Sequence, residues 1–253
     1  TADVRVSADP KLAIEAITTA ARGIVSQEDR DRIAERTARL TAASQVHIAS
    51  IEEEAIKASK ETPINPIWVS YQVGQLVNEN TVILDETLPG PRMREYMPNS
   101  RPGSHFSNPG SSGGWSPGAA LGAKLAAPEK DVIAVAGDGF YMFGTPAPAL
   151  WAAAHYNAPY MMVVFTNRSY TTGTSRIADT YGENGYARQA GFPGGYFDPP
   201  IDFAKEAEAA GAYGETVTDP DEVGPALKRG LQQTRAGKPA VISVWLKRLE
   251  GDD

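Results

Sequence analysis

Residues 131–139 read Asp-Val-Ile-Ala-Val-Ala-Gly-Asp-Gly, an apolar run that ends in a glycine-rich turn. The run has the length and the apolar content of a buried β-strand. Residues 160–165 form a second run of this kind, and Thr166-Asn167-Arg168-Ser169-Tyr170 follows it. Because a predicted helix over residues 147–156 separates the two strands, we expect them to lie parallel in one sheet.

The alternation of strand and helix continues on both sides of this pair. Glycine and proline are too frequent in residues 89–118 for regular elements, and residues 167–200 are also predicted to be rich in loops. The expected fold class is therefore α/β, a parallel sheet with helices on both faces. The remaining elements are predicted as helices at 64–78, 119–126, 203–210 and 221–235 and as strands at 81–85, 215–217 and 240–246.

The first sixty residues have a different pattern of apolar and charged residues. Apolar spacing predicts a helix at 11–25 and a charged helix from 27 to about 60, with only a thin apolar stripe. No strand alternates with these helices. We therefore predict a helical connector over residues 1–62, resembling the tail of a preceding domain, and one α/β domain over residues 63–253.

Composition excludes several classes of protein. A net charge of −7 and an isoelectric point near 5.1 argue against a nucleic-acid-binding protein and against binding to anionic membranes. The absence of cysteine removes disulfides, thiolate catalysis and cysteine metal sites. No apolar run approaches the roughly 18–20 residues that span a bilayer, and no signal peptide is visible at the first residues. A cytoplasmic location is the default expectation.

Polar residues follow both central strands. In a parallel sheet the loops after adjacent strands meet at one edge, so Asp138 and Asn167 are expected to lie close together. Carboxylate, amide and carbonyl oxygens are ligands that suit Mg²⁺ or Ca²⁺. By itself, Gly137-Asp138-Gly139 is more typical of a simple turn in which Asp138 caps a helix. Asn167 at the matching loop favours the metal site.

These segments resemble the thiamine-diphosphate fingerprint of the acetolactate synthase and benzoylformate decarboxylase superfamily. Gly137-Asp138-Gly139 followed by Asn167 is its core, and the resemblance extends over residues 112–126, 127–136 and 149–159. Overall it covers about residues 63–247, which is the diphosphate-binding part of such enzymes. The resemblance implies the thiamine-diphosphate-binding fold.

The resemblance also implies a ligand set. Asp138, Asn167 and the main-chain carbonyl of Ser169 would bind Mg²⁺, and the backbone amides of Gly139 and Phe140 would bind the diphosphate. The remaining cofactor-binding residues implied are Ser111, Ser112, Gly113, Gly114, Gly137, Tyr170 and Thr171.

Three residues are candidates for catalysis. His105 could transfer a proton, since imidazole titrates near neutrality, or it could be an ordinary loop histidine. Arg176 lies where related decarboxylases have an apolar pocket residue; it could bind an anionic substrate group or simply be exposed to solvent. Tyr170 and Thr172 are further pocket candidates.

The chain departs from the family at two residues of the expected site. Phe140 follows Gly-Asp-Gly where the family has serine or alanine. Gly113 aligns with a bulky aliphatic residue that supports the cofactor.

The mechanism implied by the resemblance also needs a glutamate from a pyrimidine-binding domain, which nothing before residue 63 could supply. We therefore expect a subunit or fragment that is incomplete alone, partnered by a chain or domain with that glutamate, in a dimer or tetramer of complete units. The expected function is that of a lyase, decarboxylase or carboligase acting on 2-oxo acids, similar to acetolactate synthase. The alternatives are a 2-hydroxyacyl-CoA lyase, a non-catalytic assembly subunit and, more remotely, a Mg²⁺-dependent phosphate-ester hydrolase.

Overall fold

The computed structural model describes residues 2–87, 91–97, 101–110 and 112–248. The chain divides into two compact units, Thr1–Ile51 and Glu52–Asp253. The predicted domain boundary after residue 62 stays a prediction. In the described part, no helix is long and apolar enough to cross a membrane.

Two long helices at the start of the chain begin at polar caps. Helix α1 is Pro10–Ile24, and the Asp9 carboxylate accepts a hydrogen bond from the backbone N–H of Leu12 at 3.1 Å. Helix α2 is Gln27–Ala58. Before it, Ser26 and Asp29 exchange side chain–backbone hydrogen bonds in a capping box. Both helices were predicted from the apolar spacing, within two residues at each end.

Within the described residues, six strands form one sheet in the order β2-β1-β3-β4-β6-β5, and every pair is parallel. The strands are β1 (Thr81–Glu86), β2 (His105–Ser107), β3 (Asp131–Gly137), β4 (Met161–Thr166), β5 (Tyr213–Val217) and β6 (Ala240–Trp245). The remaining helices are α3 (Pro66–Gly74), α4 (Ser116–Ala126), α5 (Asp138–Phe143), α6 (Pro146–His155), α7 (Thr171–Tyr181), α8 (Tyr186–Gln189), α9 (Phe203–Ala209) and α10 (Val223–Arg235).

Helices cover both faces of the sheet, as predicted. Alternate residues of β3 point to opposite sides, so that Ile133 and Val135 belong to one buried cluster and Val132 and Ala134 to another. Residues from α3 and α10 complete the first cluster, and residues from α4, α5, α6 and α9 complete the second. Burial on both faces explains why the central strands are continuous apolar runs.

Two predictions of irregular structure were wrong. Strand β2 lies within residues 89–118, where it pairs with β1 in register from Ile83 opposite His105. It is a three-residue edge strand, too short to show an alternating pattern. Helix α7 lies within residues 167–200, and its first turns are almost entirely Thr, Gly and Ser, residues of low helix propensity.

The strand order reverses direction beside β1. The chain runs from β1 outward to β2, and then crosses back to β3 on the other side of β1. In open parallel sheets, ligands bind beyond the carboxyl ends of the strands at such a switch point. The topology therefore predicts a ligand site at the loops that follow β1, β3 and β4.

Candidate active site

A cavity of about 770 Å³ lies beyond the carboxyl ends of the strands. Its lining comes from helix α5, from the loops after β1, β4 and β6, and from the first turns of α3 and α7. The lining residues include most of the predicted site: Gly137, Asp138, Gly139, Phe140, Asn167, Ser169, Tyr170, Thr171 and Arg176. The expectation that the loops after β3 and β4 meet at one edge is therefore confirmed.

Asp138 connects these two loops. Its side chain is buried, with 1% of the residue exposed. One carboxylate oxygen accepts a hydrogen bond from the Gly139 N–H at 2.8 Å, and the other accepts from the Arg168 N–H at 2.5 Å. Burial raises the pKa of Asp138 to about 7, although these two backbone donors act in the opposite direction. A cation in the cavity would favour the ionised form.

Asn167 and Ser169 stand on the facing loop. The Asn167 side-chain oxygen accepts hydrogen bonds from the backbone N–H and the hydroxyl of Ser169, both at 3.0 Å. Arg168 between them has a left-handed backbone, with φ of 58°. This tight turn holds the Asn167 amide beside the main chain of Ser169, and the Arg168 N–H ties the same turn to Asp138.

The donor set suits a hard divalent cation. Among the residues that the structure describes, no three His, Cys, Asp or Glu side chains come together as a metal-binding group. A metal at this edge would therefore rely on the Asp138 carboxylate with amide and carbonyl oxygens. Such a site is typical of a cation that keeps phosphate oxygens among its ligands.

The family model described as "Thiamine pyrophosphate enzyme, C-terminal TPP binding domain" matches residues 91–244. The chain belongs to this family. The match covers both loops of the site, and thiamine pyrophosphate is the cofactor also called thiamine diphosphate. The family predicted from the sequence is thus confirmed.

Individual relatives of this TPP-binding domain include several enzymes. The chain is 33% identical over 133 residues to a sulfoacetaldehyde acetyltransferase of Alcaligenes xylosoxydans xylosoxydans. The aligned residues are 52% of this chain and 20% of the relative. It is 29% identical over 199 residues to a benzoylformate decarboxylase of Pseudomonas aeruginosa, 76% of this chain and 34% of the relative.

A solved structure agrees with these relatives. The thiamine diphosphate-dependent 4-hydroxybenzoylformate decarboxylase of Rhodococcus jostii RHA1 superposes with a TM-score of 0.61 at 26% identity, over 76% of this chain and 34% of that one. The chain therefore spans about a third or less of the length of these relatives.

Aromatic rings form one wall of the cavity. Phe143 and Tyr170 are stacked with ring centroids 5.6 Å apart, and Tyr170 meets Phe197 edge to face at 4.7 Å. A Cβ atom at Gly139 would lie 2.9 Å from the Tyr170 ring. Glycine at position 139 thus lets this ring approach the loop, a close contact that the sequence did not reveal.

The predicted glycine-rich segment lies outside the cavity lining. Ser112, Gly113 and Gly114 do not line the cavity, and Ser111 is outside the described residues. Gly113 packs behind the wall, because a Cβ atom there would lie 2.3 Å from the ring of Phe140. Gly114 has a φ of 100°, which favours glycine.

Sequence reasoning missed Glu86, at the end of β1. This buried carboxylate accepts hydrogen bonds from the backbone N–H groups of Gly114, Trp115 and Ser116 at 2.8–2.9 Å. It also accepts from the Asn108 amide at 2.8 Å. Glu86 thereby holds the start of α4 and the Gly113–Gly114 segment against the sheet. A polar residue at the end of an apolar strand was the only signal.

We expect Glu86→Gln to lower the free energy of unfolding by about 1–2 kcal/mol, because an amide in place of one carboxylate oxygen cannot accept all these backbone donors. Chemical denaturation monitored by circular dichroism measures this effect. Glu79→Gln, at an exposed position, removes the same charge and serves as the control. Equal stability of the two variants would contradict the structural role of Glu86.

The three predicted catalytic residues fall into different environments. Tyr170 and Arg176 line the cavity. The His105 side chain is mostly buried on β2 and is not part of the lining; its Nε2 lies 3.5 Å from an oxygen of Asp85. A catalytic role for each of the three stays a prediction. The position of His105 outside the cavity lining does not support such a role.

Proposed function

We propose that this chain is the Mg²⁺- and thiamine-diphosphate-binding part of a C–C lyase, decarboxylase or carboligase that acts on 2-oxo acids. The observation that carries the proposal is the Asp138 carboxylate, buried at the cavity and hydrogen-bonded to the loop that bears Asn167 and Ser169. When bound, the cofactor supplies an electron sink for the carbanion formed on C–C cleavage.

The chain's own residues have separate tasks in this proposal. Asp138, Asn167 and the Ser169 carbonyl would bind Mg²⁺, and the backbone amides of Gly139 and Phe140 would bind the diphosphate. The aromatic rings of Phe140, Phe143 and Tyr170, which line the cavity, suit contact with a flat heterocyclic ring.

Activity requires groups beyond this domain. The proposed partner is a pyrimidine-binding chain or domain that carries a catalytic glutamate, and the proposed assembly is a dimer or tetramer of complete units in the cytoplasm. The limited share of each relative that the chain spans supports this part of the proposal. A 2-hydroxyacyl-CoA lyase stays an alternative, since one from Oryza sativa subsp. japonica is 34% identical over 134 residues.

Calorimetric titration with thiamine diphosphate, in the presence and absence of Mg²⁺, tests the proposal. We expect saturable binding that depends on Mg²⁺ and is at least about tenfold weaker for thiamine monophosphate, which lacks the terminal phosphate. An affinity that is the same with and without Mg²⁺, and the same for the monophosphate and the diphosphate, would refute the cofactor site. No binding to the chain with its partner present would favour the assembly subunit instead.

A further inference from the structure

Three cationic side chains line the cavity together with a single carboxylate. The cations are Arg176 on α7 and Lys247 and Arg248 after β6, and Asp138 is the only acidic residue among the described lining residues. The chain as a whole carries a net charge of −7. A cationic cavity in an acidic protein concentrates anionic ligands at that place.

Arg248 is held by the protein itself. Its guanidinium donates a hydrogen bond to an Asp198 oxygen at 2.9 Å and lies over the Tyr196 ring, 4.5 Å from the centroid. Arg176 and Lys247 differ, because both are exposed and neither forms an ion pair with any described residue. Among the residues that the structure describes, no carboxylate neutralises these two cations.

The face of α7 that carries Arg176 is polar throughout. Thr171, Thr172, Ser175 and Arg176 all line the cavity, and residues spaced by four positions share one side of a helix. The guanidinium thus extends a row of hydroxyl groups, whereas Lys247 approaches from a different element. Two separate cations suit a ligand with two anionic groups better than a ligand with one.

The cofactor accounts for little of this positive charge. With the proposed function, Mg²⁺ and the thiazolium ring carry about three positive charges, which offset most of the roughly four negative charges of the diphosphate and ionised Asp138. At most one of the three cations is then needed to balance the cofactor, and the others remain for another molecule. Guanidinium and ammonium groups pair with carboxylate and sulfonate oxygens through charge-assisted hydrogen bonds.

We propose that the substrate of this site is a dianion, a 2-oxo acid with a second carboxylate or a sulfonate, and that Arg176 and Lys247 bind its two anionic groups. The inference rests on the proposed function and narrows it to one class of substrate. It makes the cations substrate-binding residues and assigns them no proton transfer.

Matched unreactive acids test the inference on the chain loaded with thiamine diphosphate and Mg²⁺. Glutarate has two carboxylates, and pentanoate has the same number of carbons but one carboxylate. We expect glutarate to bind at least about tenfold more tightly, with a preference that declines as salt is added, since exposed charges are screened. Titration of 3-sulfopropanoate distinguishes a sulfonate from a carboxylate as the second group.

Arg176→Gln and Lys247→Gln should each reduce the preference for glutarate to about twofold or less, while their affinity for thiamine diphosphate is retained. Lys228→Gln, on the exposed side of α10 and outside the cavity, is the charge-matched control and should change neither property.

Three results would overturn the inference alone: equal affinity for the two acids in the unaltered chain, an unchanged preference in both cavity variants, or a loss of cofactor affinity in those variants. The last result would assign the cations to the diphosphate. Failure of the unaltered chain to bind thiamine diphosphate would instead remove the proposed function, and this inference with it.

Discussion

Asp138→Asn is expected to lower the Mg²⁺-dependent affinity for thiamine diphosphate by at least about a hundredfold. The substitution keeps the shape of the side chain and one oxygen that can accept from the Arg168 or the Gly139 N–H. It removes the negative charge that a divalent cation requires. Calorimetric titration of the cofactor at fixed Mg²⁺ measures the loss.

Folding should survive this substitution. A buried carboxylate with a pKa raised to about 7 is costly to ionise, and a neutral amide removes that cost. The amide leaves one of the two backbone N–H groups without its acceptor, so we expect the apo chain to lose no more than about 1 kcal/mol near neutral pH. Asp131→Asn is the control: it lies at the other end of β3 and pairs with Arg235 at 2.7 Å, away from the cavity. If both variants bound the cofactor alike, Asp138 would not be a metal ligand.

The sequence was sufficient for the part of the site that follows the two central strands. Apolar runs with polar residues directly after them predict both the sheet and the loops at its edge, because parallel direction in two adjacent strands brings Asp138 and Asn167 together. The structure adds the Arg168 N–H, which donates to Asp138. That contact depends on a left-handed turn at a residue whose type does not demand it.

Residues distant in sequence were harder to predict. Glu86 contacts the start of α4 about thirty positions later, and no local pattern encodes such a contact. Lys247 and Arg248 enter the cavity because β6 lies next to β4, an order that alternation of elements cannot specify. The first turns of α7 are formed by residues of weak helix propensity, so its cavity-lining face was predicted as a loop.

Gly113 and Phe140 looked like two unrelated departures from the family, and the structure makes them neighbours. The three atoms nearest to a Cβ at position 113 all belong to the Phe140 ring, at 2.3–3.2 Å. Gly113 has no positive φ, so the ring and not the backbone excludes a larger residue there. The two positions therefore constitute one packing unit, in which Phe140 fills the space beside the glycine.

We expect Gly113→Leu to lower the free energy of unfolding by about 3 kcal/mol, because the new side chain must displace the Phe140 ring. Since Phe140 lines the cavity, the displaced ring should also weaken thiamine diphosphate binding. In the Phe140→Ala background, most of the stability and affinity lost through Gly113→Leu should be recovered, giving a coupling energy of about 2–3 kcal/mol in a double-mutant cycle. Denaturant unfolding and cofactor titration of the four proteins provide the two readouts.

Gly114 supplies the matched control for this cycle. A Cβ atom there would lie 2.6–2.7 Å from the backbone of Phe143 and Gly144, and the φ of 100° is strained for any other residue. Phe140→Ala cannot relieve either problem, so Gly114→Ala should be destabilising to the same extent in both backgrounds. If Gly113→Leu were equally destabilising with and without Phe140→Ala, the ring of Phe140 would not be what excludes a larger residue at position 113. Recovery of stability at position 113 without recovery at position 114 would identify the Phe140 ring as the cause.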